Sequence, residues 1–238
     1  MVTFVRDHTG RFQQRPHFKP EELDRECESI ITGFLKQLHG DVRYPIDTED
    51  LKNLIERDAE DLDVYADLSV YGADVEGVTE FHPGSKPAVK IASILTEDAR
   101  RENRLRTTLT HEYGHVHFHS YLWEIEQPPD LLRQQPNRDK IICKRDAMID
   151  AVQTDWMEWQ AGYVCGAILM PKSAVLALCR SFAETHGLYG AVSLQTSHGA
   201  ALIASVMNTF QVSDEAARVR LLKLGLVTQA AATRSLFE

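Results

Sequence analysis

The feature that most restricts how this chain can fold is the segment from Thr107 to His119, TTLTHEYGHVHFH. It places His111 and His115 four residues apart, with Glu112 directly after the first histidine. On an α-helix, this spacing puts both imidazole rings on one face, one turn apart. Two imidazoles in that arrangement can share a tetrahedral Zn²⁺ ion. We therefore predict a helix over this segment, with His111 and His115 as zinc ligands.

Glu112 has a different predicted role. In an H-E-x-x-H segment on a helix, the glutamate reaches the water on the metal and takes its proton as general base. The segment from Asn103 to Tyr121 contains no proline, and mostly apolar residues follow one stripe from Leu105 to Val116. Both features favour a helix. The alternative is a surface helix that is rich in histidine by chance.

Two histidines do not complete a catalytic zinc site, which usually has three protein ligands and keeps a position for water. His119 continues the four-residue spacing. Eight residues of helix, however, put its Cα roughly 12 Å from that of His111, and three such residues converge poorly on one ion. We expect His119 to lie beside the ligands, to face the substrate or to be exposed. His117 points to a different face of the helix.

Two stretches resemble a known family. The run RLRTTLTHEYGH, from Arg104 to His115, resembles the zinc helix of the ImmA/IrrE family of metallo-endopeptidases. Farther along, EWQAGY (Glu158 to Tyr163), followed by AILMP (Ala167 to Pro171), is similar to that family's second motif. The two motifs and the segment between them cover roughly residues 100 to 172.

The resemblance implies that Glu158 is the third zinc ligand, presented by a second helix. The same helix carries Asp155 one turn earlier. A carboxylate from a second helix is a suitable ligand for a site that already has two imidazoles. The alternatives to Glu158 are Asp155, Glu124, Glu126 and Asp150.

One position departs from the family pattern. The family usually has an asparagine four residues after this glutamate, and Gly162 stands there in this chain. Glycine cannot supply the outer hydrogen bond that fixes the orientation of a ligand. If that bond is important, Asp155, Asp150 or water must replace it, and a lower activity would follow.

Composition restricts the function classes further. The formal net charge of −9 argues against nucleic acid as the main ligand of the whole surface. The first twenty residues are basic, with no apolar core after them, unlike a signal peptide. The longest apolar stretch, Ala161 to Met170, is too short to span a bilayer. The four cysteines are widely spaced and form no C-x-x-C pair, which is typical of reduced thiols in a cytosolic protein; they are Cys27, Cys143, Cys165 and Cys179. We expect a cytoplasmic location.

The chain divides into three predicted parts: a flexible basic N-terminal arm (1–20), a zinc metallopeptidase domain (21–175) and a helical C-terminal extension that resembles a helix-turn-helix (176–238). With 238 residues, 43% of them hydrophobic, the chain can build a sizeable core. The predicted class is α+β. It combines a small, mostly antiparallel sheet with the HExxH helix, a second ligand helix and the C-terminal helices.

The predicted elements follow from periodicity and from turn residues. Helices are expected from Glu21 to Leu38, after Asp47, and from about Cys143 to Leu169. Residues 127 to 140 hold three prolines and are predicted to form a loop. Three short β-type runs predict the sheet; they are Val64–Ala66, Val75–Phe81 and Ala88–Ile94.

The C-terminal third predicts two helices between Leu202 and Leu226, separated at Gln211 to Ser213, with Ser213 as N-cap. The pattern is similar to the helical segment that often follows the catalytic core in the ImmA/IrrE family. Its basic residues make a thin phosphate-binding footprint, so protein docking is predicted rather than DNA binding; these residues are Arg218, Arg220 and Lys223.

The resemblance implies a zinc-dependent endopeptidase that cleaves one specific protein. That substrate would be a helix-turn-helix repressor or an antitoxin, in bacterial stress or mobile-element control. The alternative is a non-catalytic regulator or a toxin–antitoxin-like component that binds DNA or a partner protein and has a structural or vestigial zinc site.

Overall fold

The computed structural model describes residues 3–82, 84–125, 140–144 and 155–229. The helices are α1 (Pro20–His39), α2 (Thr48–Asp58), α3 (Ser93–Thr96), α4 (Glu102–His119), α5 (Tyr121–Ile125), α6 (Trp156–Leu169), α7 (Lys172–His186), α8 (Ser197–Phe210) and α9 (Asp214–Lys223). The strands are β1 (Thr3–Arg6), β2 (Gln14–His17), β3 (Asp61–Ala66), β4 (Val75–Glu80), β5 (Ala88–Ala92), β6 (Lys140–Lys144), β7 (Val192–Ser193) and β8 (Val227–Thr228). Short 3₁₀ turns occur at Ser69–Tyr71 and Ala99–Arg101. The fold is α+β, as predicted.

The main sheet has the strand order β3-β5-β4-β6. β3 and β5 run parallel, whereas β4 is antiparallel to both β5 and β6. The three predicted β-type runs are therefore confirmed as β3, β4 and β5. Every residue of β4 is buried, because α4 packs against this strand.

Helix α4 lies at the centre of the fold, between the sheet, α2 and α6. All its residues from Leu105 to Val116 are buried, including the polar ones. Gly114 allows the close approach of α4 to α6, since a Cβ at this position would lie 2.9 Å from the Cα of Ala161. No side chain fits at that distance in a close-packed interface. Gly114 thereby sets how near α6 comes to the two histidines.

The N-terminal residues differ from the predicted irregular, flexible arm. Strands β1 and β2 form an antiparallel hairpin. The buried ring of Phe12 meets Trp123 edge to face at 5.0 Å between centroids, and Trp156 donates a 3.2 Å hydrogen bond to Asp7. The partners are more than 100 residues away in the sequence, so local pattern did not indicate this packing.

The long helix predicted from Cys143 is also different. Cys143 lies in β6, and α6 begins only at Trp156. Ile141 and Ile142 pair with β4, and β-branched residues suit a strand of this kind. Lys140, predicted to end a loop, is the first residue of β6. The rest of the predicted loop, residues 127 to 139, lies outside the described residues.

The two C-terminal helices are confirmed as α8 and α9, with Ser213 accepting a hydrogen bond from the backbone N–H of Ala216 at 3.1 Å. The predicted boundary between residues 175 and 176 falls inside α7. Residues from α8 and α9 also belong to the same hydrophobic core as α1, α4 and α6. The described part of the C-terminal extension thus shares the core of the preceding residues.

None of the described helices is by itself long and apolar enough to cross a membrane. Helices α6 and α7 meet the criteria of length and composition only together, as a pair bent by 57°.

A buried ion pair ties α9 to α1. Arg220, 2% exposed, places its Nη1 2.7 Å from Oδ1 of Asp24, which is 4% exposed. We expect Arg220→Met to lower the free energy of unfolding by about 3 to 5 kcal/mol, because it removes the nearest charged partner of a buried carboxylate and leaves the longer contact with Lys172, at 3.8 Å. Urea unfolding followed by circular dichroism measures the change.

The matched control is Arg218→Met on the same helix. Arg218 pairs with Asp214, but their side chains are 39% and 54% exposed. Surface pairs of this kind contribute little, so the control should keep the wild-type urea midpoint. Equal midpoints for the two variants would contradict the assigned role of Arg220.

Candidate metal centre

Helices α4 and α6 bring three ligand atoms together. The Nε2 atoms of His111 and His115 lie 3.1 Å apart on α4. Glu158 of α6 places Oε2 3.2 Å from His111 Nε2 and Oε1 3.3 Å from His115 Nε2. Both histidines are 0% exposed and Glu158 is 8% exposed. The structure therefore groups the three residues that the sequence predicted as ligands.

The spacing of these atoms fits a small divalent cation. Ligand atoms at about 2.1 Å from an ion in tetrahedral positions lie about 3.4 Å from one another. The observed separations of 3.1 to 3.3 Å are close to that value. Two imidazole nitrogens and one carboxylate oxygen are also donors that zinc accepts. The group can hold a metal ion, and three protein ligands leave one tetrahedral position for another group.

Glu158 is ionised by its surroundings. Burial acts to raise the pKa of its carboxyl group, but the adjacent His115 and His111 rings outweigh burial and hold the pKa below its usual range. A deprotonated carboxylate is the form that binds a metal. The alternative ligand Asp155 instead caps α6, where its Oδ1 accepts a 3.4 Å hydrogen bond from the backbone N–H of Glu158.

Three further alternatives to Glu158 as the third ligand were predicted. Glu126 and Asp150 lie outside the described residues, and so does the side chain of Glu124.

Glu112 lies beside the metal-binding group and is held by β4. Thr79 Oγ1 donates a 2.5 Å hydrogen bond to Glu112 Oε2. The other oxygen, Oε1, is buried and has no hydrogen-bond partner among the described residues. Burial raises the pKa of the Glu112 carboxyl, although the neighbouring His115 and His111 act in the opposite direction. One oxygen is thus fixed and the other is free to accept a proton.

Gly77 makes room for this carboxylate. A Cβ at position 77 would lie 2.2 Å from Glu112 Oε1. Gly77 and Thr79 are two residues apart on β4, so both face the same side of the sheet. Sequence reasoning missed both residues. The available signal was the β-type run from Val75 to Phe81, but a strand prediction does not show which helix lies opposite.

A chain of hydrogen bonds orients His115. The side-chain amide of Gln160 donates to the carbonyl of Pro16 at 3.0 Å. This fixes its Oε1 as the acceptor that faces His119 Nε2, also at 3.0 Å. Burial lowers the pKa of His119 well below its usual range, so this ring is neutral and its Nδ1 accepts from His115 Nδ1–H at 3.0 Å. Because Nδ1 of His115 is engaged with His119, Nε2 is the nitrogen that faces the metal-binding group.

These hydrogen bonds explain the position of His119 and the absence of an outer hydrogen bond from Gly162. His119 lies behind a ligand, which was one of its three predicted positions, and it is 0% exposed. Gly162 does not supply an outer hydrogen bond, but Gln160, two residues earlier, supplies one through His119. Second partners of this kind commonly fix the tautomer of a ligand histidine. Sequence spacing gave no signal for Gln160, because its partners come from α4 and from the N-terminal hairpin.

His117 and Cys143 lie near the metal-binding group but are not among its three ligands. His117 faces away from the site, with its Nδ1 3.8 Å from Asp58, as predicted. Cys143, predicted to be a structural thiol, is buried at the edge of the site. Its sulfur lies within 4.8 Å of ligand atoms of both His111 and Glu112.

A scan against protein-family models gives no match. A search of curated proteins finds no match either. The resemblance to the ImmA/IrrE family therefore rests on the residues quoted above.

Proposed function

We propose that the protein is a zinc-dependent endopeptidase similar to the ImmA/IrrE family, acting in the cytoplasm on one specific protein partner. The partner is a helix-turn-helix repressor or an antitoxin in bacterial stress or mobile-element regulation. The observation that carries the proposal is the convergence of His111, His115 and Glu158 at tetrahedral spacing beside a buried Glu112 oxygen that has no partner among the described residues.

Each residue of the site would have a distinct role in the reaction. His111, His115 and Glu158 would hold the ion. A bound zinc supplies Lewis-acid polarisation of the scissile carbonyl and lowers the pKa of a water to about 7. Glu112 Oε1 takes a proton from the attacking water and later gives it to the leaving amine. Thr79 holds the other oxygen of Glu112 in place during both transfers.

Two observations favour this catalytic role over a structural zinc site. Structural sites are closed by four protein ligands, whereas no other His, Cys, Asp or Glu among the described residues has a ligand atom within 4.8 Å of those of all three of His111, His115 and Glu158. A structural site also has no use for a buried carboxylate oxygen without a partner, which is costly to keep. Such costly groups are typical of functional sites.

The C-terminal helices support a protein partner rather than DNA. Arg220 is buried against Asp24, and Arg218 pairs with Asp214. Lys223 lies over the ring of Tyr163, at 5.4 Å. These three residues therefore do not form a free basic face, which specific DNA binding usually needs.

Deletion of residues 199 to 238 would damage the core as well as any partner-binding surface. Leu202, Val206 and Phe210 belong to the main core, and Arg106 donates hydrogen bonds to the carbonyls of Phe210 and Gln211 at 3.2 and 3.3 Å. The truncated chain would expose that core and unfold.

Metal analysis and a cleavage assay test the proposed function. The purified protein should hold about one zinc per chain and should cut the repressor or antitoxin encoded beside it. The chelator 1,10-phenanthroline should stop the cleavage, and added Zn²⁺ should restore it. Absence of bound zinc, or cleavage that the chelator leaves unchanged, would refute the proposal.

The hydrogen-bond chain behind His115 gives a separate prediction. Gln160→Leu removes the acceptor that fixes His119, so His115 loses its imposed tautomer. We expect the affinity for Zn²⁺ to fall by about 10- to 100-fold, measured by competition with a chromogenic chelator. The matched control is Gln195→Leu, because Gln195 donates a similar bond to a carbonyl, that of Gln229, at an exposed position. Equal zinc affinities for the two variants would show that the hydrogen bonds from Gln160 through His119 to His115 do not affect zinc binding.

A further inference from the structure

The metal-binding group is closed to solvent. Glu112, His111 and His115 are 0% exposed, and Glu158 is 8% exposed. A peptidase must bring a backbone carbonyl of its substrate to the metal and the general base. Some part of this chain must therefore move before a protein substrate can enter.

Strand β4 runs past the general base. Thr79 bonds one oxygen of Glu112, and Gly77 lies against the other. One edge of β4 pairs with β5, which is itself an inner strand because β3 pairs with its far side. The other edge of β4 pairs with β6, the outermost strand of the described sheet on that side. Only the edge covered by β6 can be freed without opening the middle of the sheet.

Strand β6 occupies this edge at the level of the site. It is five residues long and antiparallel to β4, with Cys143 directly opposite Gly77. Cys143 is 0% exposed, and its sulfur lies within 4.8 Å of ligand atoms of His111 and Glu112. The strand thus places a side chain beside the base, where the reacting part of a peptide would have to lie.

We propose that β6 is an internal occupant of the outer edge of β4 and that it keeps the site closed until the protein substrate displaces it. The inference rests on the proposed peptidase function and adds its regulation. The partner that fits is an extended segment of the protein substrate. It pairs antiparallel with β4 in place of β6 and sets a small side chain opposite Gly77.

The contacts of β6 suit an exchange of this kind. A peptide added to a strand edge forms the same backbone hydrogen bonds as the strand that it replaces, so the ladder itself does not favour either occupant. The side-chain contacts of β6 therefore determine how strongly it is held at the edge of β4. Ile141 is 3% exposed and packs in a cluster with Phe81, Trp123 and Trp156, and Lys140 Nζ lies 2.8 Å from Glu80 Oε1. These contacts keep the open form a minor population that substrate binding draws on.

Thiol alkylation measures whether β6 leaves by itself. Cys143 in β6 and Cys27 in α1 are both 0% exposed, so Cys27 reports unfolding of the main core. We expect iodoacetamide to modify Cys143 at least 10-fold faster than Cys27 in the purified protein, with mass spectrometry of peptides as the readout. Equal rates at the two sites would overturn the proposal, because β6 would then open only when the core unfolds.

Two engineered disulfides sharpen this test. Glu80→Cys with Lys140→Cys ties β4 to β6, and Glu80→Cys with Ala88→Cys ties β4 to β5; both are directly opposed pairs. When oxidised, the first should slow alkylation of Cys143 to the rate of Cys27, and reduction should restore it. The second should not slow alkylation of Cys143, because it leaves the β4–β6 edge free to open; loss of the Lys140–Glu80 ion pair can only make alkylation faster. Unchanged alkylation of Cys143 in the oxidised β4–β6 variant would refute opening at this edge.

A labelled peptide tests binding at the freed edge. The probe is fluorescein-labelled KIISK, the sequence of β6 with serine in place of Cys143. Ile141→Ser removes the main anchor of β6, so this variant should bind the probe at least 10-fold more tightly than the oxidised β4–β6 variant. Equal binding would refute the displacement of β6 by a peptide, and circular dichroism shows that the variant is folded. If it is not folded, the alkylation rates decide.

These measurements need neither metal nor cleavage. If the alkylation rates and the probe affinities are as expected but no zinc-dependent proteolysis is found, the proposed function is refuted. The inference that a peptide can replace β6 at the edge of β4 still stands in that case. If proteolysis is found but the β4–β6 disulfide leaves alkylation and cleavage unchanged, the inference about β6 fails alone.

Discussion

Glu112→Gln should lower the rate of substrate cleavage by about 10² to 10⁴ while the protein keeps its zinc. The amide has the size of the carboxylate and can still accept the hydrogen bond from Thr79. It cannot take a proton from the attacking water. Because Glu112 is not among the three converging ligands, metal binding should be unaffected. Single-turnover cleavage of the partner protein and metal analysis measure the two effects.

The matched control for this variant is Glu102→Gln. Glu102 lies in the first turn of the same helix, where it accepts a hydrogen bond from Thr48, far from the metal-binding group. Its replacement should leave the cleavage rate close to that of the wild type. If Glu112→Gln also cleaves at the wild-type rate, Glu112 is not the general base and the proposed mechanism is wrong.

The second large effect is loss of the metal itself. His111→Ala combined with His115→Ala leaves Glu158 as the single remaining member of the ligand group. One carboxylate does not retain zinc against dilution. We expect the zinc content to fall from about one per chain to near zero, and substrate cleavage to disappear with it. Metal analysis after gel filtration provides the measurement.

His117→Ala is the control for the histidine variants. His117 lies on the same helix, two residues after His115. Its side chain is 31% exposed and faces Asp58, away from the metal-binding group. The zinc content of the His117→Ala variant should match that of the wild type. Zinc that stays stoichiometric in the double variant would show that the metal is bound elsewhere, and the assignment of the site would fall.

The local geometry of the site could be predicted from the sequence. The positions of His111 and His115 relative to each other depend only on the α-helical period, so a spacing of four residues suffices. Interactions within one helix are local, and the predicted bounds of α1 and α4 are accordingly close to those observed. Helix α8, in contrast, begins at Ser197, five residues before the predicted start at Leu202. Glu158 also joined the histidines as predicted. That prediction came from the family resemblance, because no periodicity connects residues 47 positions apart.

The surroundings of the site depended on contacts between distant parts of the chain. Gly114 fixes the approach of α6, and Gly77 and Thr79 shape the place of Glu112. Each of these roles exists only because a particular backbone lies opposite. A glycine in a sequence does not show which atoms its missing Cβ avoids.

Strand pairing was the least predictable part. The sequence predicted a helix around Cys143, whose neighbours are apolar, and an irregular arm at the N-terminus, where Pro16 and Pro20 interrupt a basic segment. In the structure, β6 is a strand because β4 offers it hydrogen bonds, and Pro16 reaches the metal-binding group through Gln160 and two histidines. The sequence by itself determined the helix and the positions of His111, Glu112 and His115 on it, since these follow from the helical period. Only the tertiary structure decided which strand covers the site and which groups orient its ligands, because those depend on long-range packing.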